Sequence, residues 1–209
     1  MCLYVKIKYL LFFLEIYMIK TIIFDFFGVI SSEVAPFWFG ARYTEEEAKR
    51  LKEEYMSVAD LGKVSADELF ESLSRLSGEP PKKIHEEFMT LARIDRDMVS
   101  FIKGLSEDYK IVLLSNAQSE LLDEIMKRDD LYGLFDYTVV SGKEGMAKPC
   151  GEIFDLALTR SDSLAEESVF IDDNPKNVSA AMSRGIRGIL FEGIDSLRCE
   201  FGKIGIKCK

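Results

Sequence analysis

One stretch constrains the possible folds of this chain more than any other, namely Ile22-Ile23-Phe24-Asp25-Phe26-Phe27-Gly28-Val29-Ile30. A run of β-branched and aromatic residues ends on a single carboxylate and turns at a glycine, which predicts a buried strand with Asp25 at its carboxyl end. In an open α/β sheet, ligands bind at that edge. An aspartate there can act as a nucleophile, as a metal ligand or as both. Taken alone, Asp25 could equally be the cap of a turn or helix.

Two later segments also carry polar side chains at the ends of predicted elements. The apolar run Ile111–Leu114 is followed by Ser115 and Asn116, as expected for a second parallel strand. Lys148 stands directly before Pro149, which can begin a helix. The alternative interpretations are an ordinary Ser-Asn turn and a lysine solvated at the surface.

A fourth segment ends on two adjacent carboxylates. The segment Ser168–Ile171, apolar after its first residue, predicts a strand, and Asp172, Asp173 and Asn174 follow it. Two neighbouring acids repel each other unless a cation lies between them, so a divalent metal ion is a natural partner. Asp173 or Asn174 could also be the N-cap of the next helix, and both roles are compatible.

Taken in order, these segments resemble the four motifs of the haloacid dehalogenase superfamily: an aspartate after the first strand, a serine or threonine after the second, a lysine, and a late acidic pair. The resemblance extends from about Ile19 to Phe191. It implies an α/β fold with a Rossmann-like parallel sheet, helices on both faces, and a small all-helical cap inserted after the first core strand. The chain is similar to phosphatases with a subclass I cap, including members that resemble glucose-1-phosphatase.

The resemblance assigns catalytic and substrate-binding roles residue by residue. Asp25 would be the nucleophile that forms an aspartyl-phosphate, and Lys148 would neutralise charge on the nucleophile and the phosphoryl group. Ser115 would bind a phosphoryl oxygen, with Asn116 beside it. Phosphoryl transfer requires mainly positioning and nearby positive charge, so a lysine suits this site on physical grounds as well.

The resemblance also implies a Mg²⁺ site. Its ligands would be the carboxylates of Asp25, Asp172 and Asp173 and the backbone carbonyl of Phe27, with one of the paired acids binding through water. These are hard oxygen donors, which Mg²⁺ prefers. A carboxylate nucleophile would also repel a phosphate dianion unless a cation lay between them.

Phe27 departs from the usual pattern, because most phosphatases of the superfamily have a second aspartate there that protonates the leaving group. General acid catalysis contributes roughly 10²–10⁴-fold, so its loss favours leaving groups that need little protonation, unless another acid or water substitutes. Anomeric, aryl and acyl phosphates meet that condition.

A 2-haloacid dehalogenase is the alternative enzyme. Dehalogenases of that type carry an aromatic residue at the position of Phe27, although their last motif is typically Ser-Ser-Asn. A catalytically weak module that binds a phosphorylated ligand or a protein is the third possibility.

Residues 32–94 have the pattern of a helical cap, with apolar residues at helical intervals among many charges. Capping boxes at Thr44 with Glu47 and at Ser65 with Glu68 predict two helix starts. Further helices are expected after Pro80–Pro81 and from Asp95 to Leu105. We therefore divide the chain into a core of residues 18–31 and 95–209, the cap, and an N-terminal extension of doubtful origin, residues 1–17. In the cap, Trp38 and Arg42 are the candidates for substrate contact.

Composition excludes several classes of partner. A net charge of −9 argues against binding to nucleic acid or to an anionic membrane. The four cysteines show no metal-ligand spacing. The apolar N-terminal segment is interrupted by Glu15 and is shorter than the roughly 20 residues that span a membrane. We expect a cytoplasmic enzyme, a monomer or homodimer, that acts on a small phosphorylated metabolite.

Overall fold

The structure, a computed structural model, describes residues 18–208. The prediction for residues 1–17 lies outside this range. Within it, none of the helices combines the length and the apolar character needed to cross a membrane.

A parallel sheet of five strands forms the centre of the molecule, in the order β3-β2-β1-β4-β5. Successive residues of a strand point to opposite faces: Ile22 packs in one hydrophobic cluster and Ile23 in another. Both faces are therefore covered, which explains why the strands are continuously apolar rather than alternating. The predicted fold class is confirmed. The strands are β1 Thr21–Phe24, β2 Lys110–Ser115, β3 Tyr137–Val140, β4 Ser168–Asp172 and β5 Arg187–Leu190.

Ten α-helices surround the sheet or form the inserted layer within residues 18–208. Four of them follow β1 directly and make up the cap: α1 Ala35–Gly40, α2 Glu45–Asp60, α3 Ala66–Ser77 and α4 Pro81–Leu91. The others belong to the core: α5 Arg96–Leu105, α6 Ser119–Arg128, α7 Ser141–Glu144, α8 Gly151–Arg160, α9 Pro175–Ser183 and α10 Ile194–Lys203.

Local sequence explains where the cap begins and how its helices start. The two chain segments that join cap and core pair at Ser31 and Ile94, and the Ser32 N–H donates to the Arg93 carbonyl at 2.9 Å. Both predicted capping boxes form, because the Thr44 and Ser65 side chains accept from the backbone three residues later. The first turns of α2 and α3 are thereby satisfied without tertiary help.

Helix α6 of the core holds the cap over the carboxyl ends of the strands. Glu120, Glu124 and Arg128 follow one another at intervals of four, so they form a polar stripe along one face of α6. Each of the three bonds to a different part of the cap. Their partners are the Ala66 N–H at 2.6 Å, His85 Nε2 at 2.7 Å and the Ala92 carbonyl at 2.6 Å.

Candidate active site

The predicted nucleophile lies where β1 ends, between its two neighbouring strands. Asp25 is 8% exposed, and its backbone N–H continues the sheet by donating to the Ile171 carbonyl of β4 at 2.9 Å. Its Oδ1 accepts the Phe26 N–H at 2.7 Å. The carboxylate is therefore oriented by the backbone that follows it.

Lys148 reaches the same point from the loop before α8. Its side chain is fully buried, and Nζ lies 2.8 Å from Asp25 Oδ1 and 2.7 Å from Asp172 Oδ2. The Asn116 side chain makes two hydrogen bonds with the Lys148 main chain: Nδ2 donates to the Lys148 carbonyl and Oδ1 accepts the Lys148 N–H, both at 2.8 Å. Asn116, predicted to lie beside the substrate, thus has the structural role of positioning Lys148.

The pKa values of the pair follow from burial and from charge. Burial alone would lower the pKa of Lys148, but the charges of Asp25 and Asp172 and their hydrogen bonds raise it above its ordinary value. Lys148 is therefore a fixed cation. Burial raises the pKa of Asp25 well above its usual range, and the charge of Asp172 adds to this while Lys148 opposes it.

The two acids of the predicted metal pair have different surroundings. Asp172 is fully buried and accepts hydrogen bonds from the Asn174 N–H at 2.8 Å and from Asn177 Nδ2 at 3.0 Å. Asp173 is exposed and points to the cavity. Asn174 is the N-cap of α9, accepting from the Lys176 N–H, so the capping role and the acidic pair coexist as anticipated.

A divalent cation fits this cluster. Asp25, Asp172 and Asp173 each offer a carboxylate oxygen within 4.8 Å of the others. Three carboxylates facing one ammonium leave two negative charges unbalanced, and oxygen ligands suit Mg²⁺. Gly28 makes room for the third carboxylate: it has a φ of 82°, and a Cβ there would lie 2.3 Å from Asp173 Oδ2.

Ser115 satisfies a second condition for an anion site. It ends β2 and is completely buried. Within residues 18–208, its Oγ is the single buried side-chain oxygen or nitrogen that lacks a hydrogen-bond partner. An unpaired buried hydroxyl is costly, and a phosphoryl oxygen would satisfy it. Ser115 does not line the cavity described next.

A cavity of about 610 Å³ lies between the core site and the cap. Asp25, Phe27, Lys148 and Asp173 line it from the core. Sequence reasoning missed the residues that line it from the cap and its linkers, Glu33, Lys52, Met56 and Asp60 among them. The last three follow one another at intervals of four on α2, which is the one sequence signal that could have indicated a shared face.

Two of these missed residues are carboxyls in unusual surroundings. Burial raises the pKa of Asp60 to about 7, and Glu33 adds to this while Lys52, the Gln118 N–H and Lys148 oppose it. Burial also raises the pKa of Glu33, with Lys52 opposing and Asp173 and Asp172 assisting. Both acids therefore retain protons at a higher pH than an exposed carboxyl does.

The structure does not bring Trp38 and Arg42 to this cavity, contrary to the predicted substrate contact. Trp38 is fully buried in the cap, and its Nε1 donates to Glu87 Oε2 at 2.8 Å. Arg42 stacks over the Trp38 ring with Cζ 4.3 Å from its centre, and it pairs with Glu79 and Glu87. Both side chains are engaged within the cap and line a separate, shallow depression.

Comparison with known proteins agrees with this geometry. The sequence model of haloacid dehalogenase-like hydrolases matches residues 19–183. The chain is 27% identical over 178 residues to the sesquiterpene phosphatase astK of Aspergillus oryzae. The matched region covers 81% of this chain and 88% of astK. It is 26% identical over 186 residues to the D-ribitol-5-phosphate phosphatase of Bacteroides thetaiotaomicron, and the matched region covers 80% of this chain and 89% of that enzyme.

Other similarities are narrower in scope. The chain is 26% identical to drimenol cyclase drtB of Aspergillus calidoustus, but it spans only 30% of that protein's length. Among solved structures, an enzyme from Bacteroides thetaiotaomicron in complex with magnesium and inorganic phosphate superposes with a TM-score of 0.71 at 23% identity, covering 86% of this chain and 98% of that one. At that identity the likeness concerns the fold.

Proposed function

Since the chain belongs to the haloacid dehalogenase-like hydrolases and is of their phosphatase type, we propose that it is a magnesium-dependent phosphatase that hydrolyses a small phosphorylated metabolite through an aspartyl-phosphate on Asp25. One observation carries the proposal. Lys148 Nζ bridges Asp25 and Asp172 at 2.8 and 2.7 Å, with the carboxylate of Asp173 beside them. A nucleophile, a fixed cation and a set of oxygen ligands thus converge on one point.

Each residue of the site has a defined task in this mechanism. An Asp25 carboxylate oxygen attacks phosphorus, the bond from phosphorus to the leaving oxygen breaks, and water then hydrolyses the aspartyl-phosphate to restore Asp25. Lys148 remains protonated and offsets the charge that gathers on the phosphoryl oxygens. Ser115 donates its free hydroxyl to one of those oxygens.

The metal site would be formed by Asp25, Asp172, Asp173 and the Phe27 carbonyl. A bound Mg²⁺ would supply positive charge that offsets the charges of the nucleophile and the phosphate. Asn177 and the Asn174 N–H hold Asp172 in place. Because Asp172 also bonds Lys148, it is better placed to orient the site, and Asp173 to bind the metal directly.

The dehalogenase alternative is less compatible with the charges of the site. A haloacid carries its own carboxylate, and here it would meet three more with a single ammonium among them. Phe27 lines the cavity as an aromatic residue would in a dehalogenase. One hydrocarbon wall does not offset that repulsion.

For the substrate class, we propose a sugar or polyol phosphate. Lys52 and Ser57 line the cavity, and their side chains can hydrogen-bond hydroxyl groups. The name of the D-ribitol-5-phosphate phosphatase supports this class, whereas the sesquiterpene phosphatase points to apolar leaving groups. Met56 and Phe88 in the same cavity make the second class the competitor to test.

We also propose a cytoplasmic location. Cys150, Cys199 and Cys208, the cysteines within the described part of the chain, are free thiols, as a reducing compartment would keep them. Cell fractionation tests this, and recovery outside the cytoplasm would contradict it.

The proposal is tested by measuring phosphate release from 4-nitrophenyl phosphate, sugar 1- and 6-phosphates, ribitol 5-phosphate and farnesyl phosphate, with Mg²⁺ or with chelator. Asp25→Asn is the active-site variant and Asp162→Asn, at an exposed position, is its matched control. We expect metal-dependent release that falls by at least about a thousandfold in Asp25→Asn alone. Halide release from chloroacetate without metal would instead establish the dehalogenase.

A further inference from the structure

The site lacks a proton donor at residue 27, two positions after the nucleophile, where one is expected. Phe27 is a hydrocarbon side chain that lines the cavity. An alkoxide leaving group departs slowly unless it is protonated as its bond to phosphorus breaks. The cavity therefore has to supply an acid from elsewhere if alkyl phosphates are to be substrates.

Among the residues that the structure describes, five carboxyl groups line the cavity, and three of them can be set aside. Asp25 is the proposed nucleophile, Asp173 belongs to the metal cluster, and Glu53 is exposed to solvent, where its proton is not protected by burial. Glu33 and Asp60 remain. Both are half-buried, and neither belongs to the metal cluster.

The surroundings of the two acids distinguish them. Glu33 is under the influence of Asp172 and Asp173, so a cation bound there would favour its ionised form. Asp60 lies instead at the end of α2, where the Gln118 N–H donates to its carboxyl group. Lys52, Glu33 and Lys148 are the charged groups that face it. Asp60 is thus the acid that the metal ion disturbs less.

The core fixes the position of Asp60. Its carbonyl accepts a hydrogen bond from Ser141 Oγ, and the same hydroxyl accepts the Ala117 N–H at 3.0 Å. Two residues further on, Gly62 packs so closely that a Cβ would lie 2.0 Å from the Gly142 carbonyl oxygen. Although Asp60 belongs to the cap, its backbone is thus held against Ser141 and Gly142, the first residues of α7.

We propose that Asp60 is the general acid that protonates the leaving group, in place of the acid that Phe27 does not provide. The inference rests on the proposed phosphatase function. As the Asp25 oxygen bonds to phosphorus, the electron pair of the breaking bond stays on the leaving oxygen, which takes the proton of the Asp60 carboxyl. In the second step, the attacking water gives a proton to the Asp60 carboxylate and its oxygen to phosphorus, which releases phosphate and Asp25.

The titration of Asp60 suits this task. Because burial raises its pKa to about 7, both protonation states are populated at neutral pH, as a group that gives and then takes a proton requires. With a poor leaving group, kcat/KM should accordingly fall as the pH rises above about 7. With a good leaving group, kcat/KM should not fall in that pH range.

The test compares phenyl phosphate with 4-nitrophenyl phosphate, because nitrophenolate departs without protonation. Asp60→Asn should lower kcat/KM for phenyl phosphate by about 10²–10⁴-fold and leave that for 4-nitrophenyl phosphate nearly unchanged. Glu33→Gln is the matched control from the same cavity, and it should leave the ratio of the two rates as in the wild type. The pH profile of the wild type with each substrate supplies an independent readout that needs no variant.

Each other outcome has a separate meaning. Equal losses on both substrates would show that Asp60 has a structural role, and a selective loss in Glu33→Gln would move the acid to Glu33. Identical pH profiles with both substrates would also overturn the inference. Failure of the wild type to hydrolyse even 4-nitrophenyl phosphate would refute the phosphatase function itself, and the inference with it.

Discussion

Ser115 and Ser141 are both completely buried, on neighbouring strand ends, yet only one has hydrogen-bond partners. Ser141 Oγ bonds the Asp60 carbonyl and the Ala117 N–H, whereas Ser115 Oγ has none. Removing a hydroxyl is costly when it leaves buried partners unsatisfied and nearly neutral when it does not. The two serines should therefore respond to substitution in opposite ways.

We predict that Ser115→Ala retains the stability of the wild type but raises KM or lowers kcat for phosphate esters about tenfold, through the loss of one hydrogen bond to a charged group. Ser141→Ala should lose about 1–3 kcal/mol of stability. Chemical denaturation and steady-state kinetics on both variants test this. A Ser115→Ala variant that is destabilised with unchanged kinetics would contradict the assigned role.

The raised pKa of Asp60 also has a consequence for stability. The unfolded chain releases this proton near the ordinary value of 3.8 and the folded chain releases it only near 7. The folded state thus holds the proton more tightly, so the contribution is present at low pH and is lost as the pH rises through about 7. Relative to Asp60→Asn, the wild type should become less stable between about pH 4 and pH 7, and then remain constant.

Denaturant unfolding of both proteins at several pH values measures that difference. Lys52, Glu33, Lys148 and the Gln118 N–H face Asp60, and all of them are retained in the variant. Glu33→Gln, measured in parallel, shows how much of the slope belongs to the other acid. A difference between wild type and Asp60→Asn that does not vary with pH would mean that Asp60 titrates normally.

The part of the site that the sequence could predict is the part built on strand ends. Asp25, Ser115 and Asp172 each close an apolar run, and parallel strands bring such ends together at one edge. Asp60 and Lys52 could not be found in this way, because only tertiary packing decides which face of a cap helix looks into the cavity. Trp38 shows the same limit, since its position near the nucleophile in sequence gave no information about its direction.

At the scale of elements, predictions succeeded where the sequence carries local signals. Helices α2 and α3 begin after their capping boxes, and α4 begins at Pro81. Helix α10 was not predicted, and its N-cap is Gly193, which provides no side-chain bond. Leu197 and Phe201 bury one face of α10, so it depends on tertiary contacts rather than on its own caps.

Gly62 and Gly78 offer a test of the junction between cap and core. Both have left-handed backbones, with φ values of 66° and 77°, so alanine strains each by a similar amount. A Cβ at Gly62 would lie 2.0 Å from the Gly142 carbonyl oxygen, whereas at Gly78 it would meet nothing within 4 Å. Only the first substitution pushes the cap away from the core.

We predict that both Gly→Ala variants lose about 1–2 kcal/mol from backbone strain. Gly62→Ala should in addition lower kcat/KM for phenyl phosphate more than that for 4-nitrophenyl phosphate, because it displaces Asp60. Thermal unfolding and the two assays separate these effects. If Gly78→Ala changed the substrate ratio as much as Gly62→Ala, general destabilisation would be the cause instead of the displacement of Asp60.

At the scale of the whole molecule, the cavity lies where the helical cap meets the core at the carboxyl edge of the parallel sheet. The core brings the charged groups together through parallel strands. The cap contributes a second set of groups through helix faces, and the α6 residues Glu120, Glu124 and Arg128 hold it in place.

The unbalanced charge of the core site should make the stability of the whole protein depend on divalent cations. Asp25, Asp172 and Asp173 repel one another in the folded state, and Lys148 offsets only one of the three charges. A cation that binds only the folded state adds about 2.7 kcal/mol at a concentration of 100 times its Kd. We predict that saturating Mg²⁺ raises Tm by several degrees and that chelator reverses the shift.

Asp173→Asn separates metal binding from general ionic effects. The variant removes one repelling charge, so without metal it should be at least as stable as the wild type, and its Tm should respond less to Mg²⁺. Asp162→Asn makes the same change at an exposed position. This position is near the opposite end of the sheet, because the hydroxyl of the neighbouring Ser163 lies 2.8 Å from that of Thr21 in β1. The Tm of this variant should respond to Mg²⁺ as that of the wild type does. An equal Mg²⁺ response in all three proteins would show that the ion binds elsewhere, because Asp173 is the most exposed carboxylate of the cluster and the one for which Gly28 leaves room.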